Sequence, residues 1–143
     1  MKTVSILVPE SSVPQAIADP QYLFSTVNQF LLASGKQALF NVQLVGYSKE
    51  VKLNAGLFSV HVDKQLNEVE HSDLVFIPAL FGNMQQAIAQ NKVLIPWINE
   101  QYKKGAEVAS LCVGAFLLAS TGLLNGKKCS THWGFSSEFR ELF

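Results

Sequence analysis

The chain has 143 residues, of which 48% are hydrophobic and 15% charged, and its 11 acidic side chains balance its 11 basic ones. This composition excludes an intrinsically disordered chain, and the length suffices for one domain with a core of its own. A nucleic-acid-binding surface normally shows as a basic excess, so this segment is not expected to contact DNA itself.

The start of the chain and its apolar runs indicate a cytoplasmic protein. The apolar run within Met1–Pro9 is too short for a signal peptide. No stretch approaches the roughly 20 apolar residues that span a bilayer. Two cysteines, Cys112 and Cys129, are too few to hold such a domain together by disulfides, so both are expected to be reduced thiols.

The first half of the chain predicts strands separated by one long helix. Residues 3–8 form a nearly continuous apolar run, which is typical of a strand buried on both faces. A helix is predicted to begin at Asp19-Pro20, where an N-cap residue precedes a proline, and to end at Gly35. The later elements are a strand at 38–46 and one or two extended segments within 51–62, around a turn at Asn54-Ala55-Gly56. One helical stripe is formed by Leu23, Val27, Phe30 and Leu31.

The second half continues the alternation of strands and helices. A proline stop follows the buried strand at 73–78, and a further buried strand at 107–111 runs directly into a helix. Helices are predicted at 83–90, 96–104 and 113–120, a short strand at 128–131, and an amphipathic segment from there to Phe143.

This alternation predicts an α/β domain with a doubly wound, mostly parallel sheet and helices on both faces. Sites in such sheets form beyond the C-terminal ends of the strands. The Pro9-Glu10 loop, the loop at 79–82 and Cys112 are therefore expected at one rim of the sheet. No internal repeat interrupts this single-domain pattern.

Cys112 is the residue most able to carry chemistry. A buried strand runs into a helix there with no room for a loop, which forces a strained turn, and the small residues Gly114 and Ala115 allow the close approach. A helix N-terminus favours the thiolate, which is the nucleophilic form of cysteine. The alternative is that Cys112 is only a small buried apolar residue.

His132 is the candidate partner of Cys112. If the segment before it returns to the same rim, its neutral imidazole could take the thiol proton as a general base. The alternative is a histidine that caps a strand end. Glu10 is the candidate third group, or else an ordinary loop acid. The spacing of Cys112, Cys129 and His132 predicts no metal site, and no phosphate loop or dinucleotide motif predicts a cofactor.

Three runs of sequence strongly resemble the ThiJ/PfpI superfamily, whose domains have a class I glutamine amidotransferase-like, flavodoxin-like fold. They span residues 107–119, 122–128 and 130–133, and the last two resemble the branch that is fused to AraC-type DNA-binding domains. The resemblance implies that Cys112 is the family's elbow cysteine and His132 its histidine. It also implies that the domain continues past Phe143, so that residues 1–143 are a domain truncated at its C-terminal end.

Two departures from the family pattern argue against hydrolysis. Ala16 stands four positions before Pro20, where the family often has the acid that contacts the cysteine. The loop after the buried strand at 73–78 usually carries, in the family, a Gly-Gly pair whose amides form an oxyanion hole. Here that loop reads Ala79-Leu80-Phe81-Gly82, and its bulky side chains are expected to narrow or reshape the pocket.

The resemblance implies the ligand-sensing N-terminal domain of an AraC-family-like transcriptional regulator. It would bind a small metabolite, contact DNA only through a domain outside this chain, and form a homodimer. The alternatives are a stand-alone hydrolase, hydratase or glyoxalase with Cys112 as nucleophile, or a redox sensor that oxidises Cys112. The expected ligand pocket consists of Glu10, Ala79, Leu80, Cys112, Val113 and His132.

Overall fold

The computed structural model describes residues 1–143 and contains seven strands and five α-helices. The strands are Lys2–Leu7 (β1), Phe40–Gly46 (β2), Glu50–Leu53 (β3), Phe58–His61 (β4), Lys64–Gln65 (β5), Leu74–Ile77 (β6) and Glu107–Ser110 (β7). The helices are Pro14–Ala33 (α1), Met84–Gln90 (α2), Leu94–Lys103 (α3), Ala115–Ser120 (α4) and Ser136–Leu142 (α5). None of the helices is long and apolar enough to cross a membrane.

Five strands form one parallel sheet in the order β5-β2-β1-β6-β7. The chain moves outward in one direction from β1 to β2 and in the other from β6 to β7. The topological switch point therefore lies between β1 and β6, where Val4 pairs with Leu74. The remaining two strands, β3 and β4, form an antiparallel hairpin. The predicted α/β class with a mostly parallel sheet is confirmed.

Alternating side chains of the strands build a core on each face of the sheet. On one face, Val4, Ile6 and Val8 pack with Ile17 of α1 and with Val51 and Leu53 of the hairpin. On the other face, Leu7, Val45 and Ile77 lie in a larger cluster to which α2, α3 and α4 contribute. Both faces of the sheet are thus covered, as the continuous apolar runs of β1 and β6 require.

Helix α1 begins at Pro14 and not at Asp19-Pro20, so the predicted start is wrong. Pro14 occupies the first turn, where a missing N–H costs nothing, and the buried Pro20 lies inside the helix. The two prolines are equally suited to a first turn, and local sequence does not distinguish them. The predicted end is confirmed: Gly35 has a φ of +71°, and the Lys36 N–H bonds the Leu31 carbonyl at 2.9 Å.

The strand predicted at residues 128–131 is not formed. These residues are irregular, and they make no backbone hydrogen bond to the neighbouring edge strand β7. The segment is instead attached by a side chain, because the Thr131 hydroxyl donates to the Cys112 carbonyl oxygen at 3.3 Å. It therefore crosses the C-terminal rim of the sheet without extending the sheet.

Candidate functional site

Cys112 lies at a strained turn between β7 and α4, as the sequence predicts. Leu111 is extended, with φ −98° and ψ 131°, and a single 3₁₀ turn, Cys112–Gly114, leads into the helix. Cys112 itself has a φ of +52°, in the left-handed region that a residue with a Cβ occupies at a cost of roughly 1–2 kcal/mol. The Cys112 residue is exposed. The turn therefore holds the thiol at the surface of the rim.

Gly114 allows the elbow to rest directly on the end of β6. A Cβ at this position would lie 2.5 Å from the Pro78 carbonyl oxygen and 2.9 Å from that of Ile77. No side chain fits in that space, so the backbone of the elbow contacts the backbone that leads into the loop at residues 79–82. The site is thus built from two adjacent strand ends.

The loop after β6 leaves two amide donors free. A bridge pairs Ser12 with Leu80, in which the Val13 N–H bonds the Ala79 carbonyl at 2.9 Å and the Phe81 N–H bonds Ser11. The N–H groups of Ala79 and Leu80 make no hydrogen bond within the chain. The Leu80 side chain is buried in the core, so it does not block the rim as its size suggested. Two buried residues at the strand end thus keep N–H groups without a hydrogen-bond partner in the chain.

His132 forms its hydrogen bond within its own turn. Its Nδ1 accepts from the Gly134 N–H at 3.1 Å, and no hydrogen bond joins its ring to the Cys112 thiol. A neutral ring with Nδ1 as acceptor carries its proton on Nε2, so it offers a donor and not a base to a neighbouring group. The hydrogen bond between Thr131 and Cys112 brings the two segments together. The geometry favours the capping role over a preformed Cys–His pair.

Glu10 is at the rim, but it contacts neither Cys112 nor His132. Its carboxylate accepts a hydrogen bond from the Tyr47 hydroxyl, and its N–H donates to the Asn91 side chain at 2.9 Å. The hydrogen bond to Glu10 and partial burial raise the pKa of the Tyr47 hydroxyl. The pair lines a cleft of about 1000 Å³ between the hairpin and Phe81. Glu10 is therefore not placed to orient the histidine, and its role as a third catalytic group is not supported by the geometry.

Asn91 holds the rim loop, and sequence reasoning missed it. The buried Asn91 Nδ2 donates to the Ser11 hydroxyl at 2.9 Å and to the Ala87 carbonyl at 2.8 Å, while its oxygen accepts from Glu10. An asparagine at the end of a helix indicates a C-cap, and nothing in the local sequence indicates partners 80 residues away.

Replacing Asn91 with leucine should lower the free energy of unfolding by about 3 kcal/mol, because the buried side chain makes three hydrogen bonds, to partners that are half-buried or buried. Asn83→Ala is the matched control: it removes an exposed N-cap bond of the same helix, to the Gln86 N–H at 3.0 Å, and should cost about 1 kcal/mol. Urea denaturation measures both values. Equal losses in the two variants would contradict a special role for Asn91.

Comparison with known proteins assigns the family. The model described as "DJ-1/PfpI family" matches residues 23–141, and the chain belongs to this family. The predicted resemblance to ThiJ/PfpI proteins is thereby confirmed. Ala16, which the resemblance places at the family's acid position, is buried in the first turn of α1.

Similar proteins include regulators and an enzyme. The HTH-type transcriptional regulator CdhR of Pseudomonas aeruginosa is 28% identical over 85 residues, which are 59% of this chain and 24% of CdhR. The isonitrile hydratase of Pseudomonas putida is 29% identical over 63 residues, 44% of this chain and 27% of the hydratase. The chain thus spans about a quarter of these relatives.

A solved structure has the same fold. The crystal structure of a putative transcriptional regulator from Vibrio parahaemolyticus superposes with a TM-score of 0.82 at 23% sequence identity. The match covers 99% of this chain and 72% of that one. The likeness extends over the whole described chain and confirms the flavodoxin-like architecture.

Proposed function

We propose that this chain is the ligand-sensing module of a transcriptional regulator. It binds a small metabolite at the rim around Cys112, in the cytoplasm, and the bound state biases a DNA-binding domain outside this chain. The similarity to the regulator CdhR supports the class of protein. The neutral net charge supports placing the DNA contacts elsewhere, because DNA binding draws on clustered Lys and Arg.

The main support for the proposal is that Cys112, at the elbow, has no general base in hydrogen-bond contact with its thiol. Cys112 is exposed and strained, yet the one hydrogen bond of the His132 ring is the bond that its Nδ1 accepts from the Gly134 N–H. Ala16, which carries no carboxylate, stands where the resemblance places the family's acid. General-base activation of a thiol requires an acceptor within hydrogen-bond reach. The geometry therefore favours binding over turnover.

The donors of the rim indicate the kind of ligand. The free N–H groups of Ala79 and Leu80 and the His132 Nε2–H all call for an acceptor oxygen. A carboxylate or an amide carbonyl supplies such an oxygen, whereas a simple amine does not. We therefore expect a small carboxylate or carboxamide, with its oxygen against the loop at residues 79–80 and its body beside Cys112.

Matched probes test this site. Propionamide and propionate should each raise the melting temperature by about 4 °C at ten times their dissociation constant, whereas propylamine should leave it unchanged. Thermal unfolding followed by circular dichroism gives the shift. Absence of a shift with both oxygen-bearing probes across a concentration series would contradict the proposal.

Two cysteine variants test whether the probes raise the melting temperature by binding at Cys112. Cys112→Gly should reduce the probe-induced shift, yet the variant should be as stable as the wild type or up to about 1 kcal/mol more stable, because glycine accepts a φ of +52°. Cys129→Ser, a change at the other exposed cysteine, should leave the shift intact. A full shift in Cys112→Gly would place the ligand elsewhere.

The second candidate function is a cysteine-dependent hydratase or hydrolase. The similarity to isonitrile hydratase and the preserved elbow favour it. In that case a ligand must move the His132 ring so that a nitrogen accepts the thiol proton. Turnover of an isonitrile or amide that is lost in Cys112→Ser would favour this function over sensing alone.

A further inference from the structure

One asparagine of the chain is followed directly by glycine. The sequence has eight asparagines, and only Asn125 has a glycine, Gly126, as its next residue. An asparagine side chain is short enough to reach its own backbone, and a glycine after it has no Cβ to shield the backbone nitrogen. In Asn125-Gly126, a side-chain amide and an unshielded backbone nitrogen are therefore neighbours.

Asn125 and Gly126 are the two central residues of a tight turn. The Lys127 N–H donates to the Leu124 carbonyl oxygen at 3.0 Å and closes the turn. Asn125 has a negative φ and Gly126 a φ of +71°, which is the combination of a type II turn. The peptide group between Asn125 and Gly126 takes no part in the closing hydrogen bond, so it is the part of the turn that is able to rotate.

No hydrogen bond holds this peptide group in place. Neither the Asn125 carbonyl oxygen nor the Gly126 N–H has a partner in the chain. The Asn125 side chain also makes no hydrogen bond, and both residues are exposed. A Cβ at Gly126 would meet nothing within 4 Å, so the space around it is open. Asn91 is the opposite case, because three hydrogen bonds fix its buried side chain.

We propose that Asn125 is a site of spontaneous deamidation in the folded chain. The Gly126 nitrogen loses its proton and attacks Cγ of Asn125. A bond forms between this nitrogen and Cγ, the bond from Cγ to Nδ2 breaks, and the side-chain nitrogen takes up a proton and leaves as ammonia. The product is a succinimide ring that joins the two residues.

Water completes the reaction by opening the succinimide ring at one of its two carbonyl carbons. Opening at Cγ restores the ordinary peptide bond and leaves aspartate at position 125. Opening at the main-chain carbonyl carbon leaves isoaspartate, in which the chain continues through Cβ and Cγ. Nothing is oxidised or reduced, and water is the only co-reactant.

Both products change the charge of a groove beside the turn. The groove has a volume of about 790 Å³, and its lining includes Asn125, Lys127 and Arg140. No acidic side chain lines it, and neither of the two cations belongs to an ion pair. Deamidation therefore brings the first carboxylate into a groove that holds two positive charges, which attract it.

The isoaspartate product also lengthens the backbone ahead of the segment that crosses the rim. It adds a methylene group to the main chain inside the turn that the Lys127 N–H closes, so this hydrogen bond cannot keep its geometry. Thr131 follows in the same segment, and its hydroxyl donates to the Cys112 carbonyl oxygen. The modification thus acts on the attachment of this segment to the elbow. The inference does not depend on the proposed sensing function.

Peptide mapping by mass spectrometry tests the inference. The whole chain is incubated in warm, mildly alkaline buffer, and the peptide that contains Asn125 should gain the mass difference between an amide and a carboxylic acid. Isoaspartate methyltransferase with S-adenosylmethionine should then methylate the same peptide. Asn54 is the internal control: it is also an exposed turn residue, but Ala55 follows it, so its peptide should convert at least about tenfold more slowly.

A comparison with the chain unfolded in urea separates the effect of the fold from that of the sequence. Because the turn leaves the peptide group free, Asn125 in the native chain should convert within about tenfold of its rate in urea. A native chain in which Asn125 stays an amide while the unfolded chain converts would overturn the inference. Equal conversion of Asn54 and Asn125 in the native chain would overturn it as well.

Gly126→Ala tests the role of the unshielded nitrogen. The added Cβ has room in the fold, but it crowds the attacking nitrogen, so native conversion should be about tenfold slower than in the wild type. Conversion at the wild-type rate would contradict the mechanism. If this variant unfolds, Asn125→Gln replaces it, since the longer side chain closes a ring more slowly. A glutamine that converts as fast as Asn125 would then contradict the mechanism.

Discussion

Replacing Gly114 with alanine is expected to destabilise the chain by about 3 kcal/mol. The φ of Gly114 is −58°, which any residue adopts, so the cost does not come from its dihedral angles. It comes from the added Cβ, which would lie 2.5 Å from the Pro78 carbonyl oxygen. Because that neighbour is backbone at the end of a buried strand, the elbow must move away from β6, and overpacking of this kind costs one to several kcal/mol.

Gly35→Ala is the matched control for this variant. Gly35 has a φ of +71°, but a Cβ there meets nothing within 4 Å, so alanine should cost only about 1 kcal/mol through strain. Urea denaturation gives the free energy of unfolding of both variants, and the difference separates the cost of a steric clash from the cost of backbone strain alone. A loss in Gly114→Ala no greater than in Gly35→Ala would show that the elbow does not rest tightly on β6.

Displacement of the elbow also tests the site. Moving Cys112 away from Pro78 separates the thiol from the free amides of Ala79 and Leu80, so the folded fraction of Gly114→Ala should give a smaller shift with propionamide than the wild type. Stability and ligand response are therefore expected to fall together in this variant, in contrast to Cys112→Gly.

The sequence predicts the sheet and the elbow because both depend on local patterns. The apolar runs at β1 and β6 are too continuous for surface strands, and the ends of these strands lie at the rim. The strand β7 was also predicted to be buried, but it is an edge strand without a buried residue, so this part of the prediction is wrong. The turn at Cys112 follows from a strand that meets a helix without a loop. Periodicity also identified the stripe on α1, but it cannot tell whether the stripe lies on the sheet or is exposed, because that depends on which neighbours are present.

The partners within the site could not be predicted in the same way. Glu10 is at the expected rim, yet it is bonded to Tyr47, 37 residues later, and this contact exists only because β1 and β2 are adjacent. His132 bonds the Gly134 N–H two residues on, which competes with a bond to Cys112. The roles of Cys112 and His132 toward a ligand stay predictions.

Phe116→Ala is expected to lower the free energy of unfolding by about 4 kcal/mol, the typical cost of truncating a buried phenylalanine. Phe116 is fully buried in α4, and its ring lies edge-on against those of Phe139, Phe135 and Phe143, at centroid distances of 5.0, 6.3 and 6.3 Å. Helix α5 has no buried residue of its own. Phe116 is therefore its main attachment to the core.

The same substitution should loosen the segment that carries His132. The His132 ring packs edge-on against Phe135 at 5.9 Å, so Phe135 joins Phe116 to the rim. Hydrogen exchange measured by mass spectrometry should show faster exchange in peptides that cover residues 129–143, at denaturant concentrations where the rest of the chain is still folded. The ligand-induced shift in melting temperature should decrease with it.

Phe24→Ala is the control. Phe24 is only half-buried, and it has one aromatic neighbour, Phe40. Both rings lie on the face of the sheet opposite to that of Phe116. It should cost less than Phe116→Ala and leave exchange in residues 129–143 unchanged. If Phe116→Ala loses stability but exchange in this segment stays as slow as in the wild type, α5 is held by contacts other than the phenylalanine cluster. His132 would then be positioned by Thr131 and its bond to the Cys112 carbonyl alone.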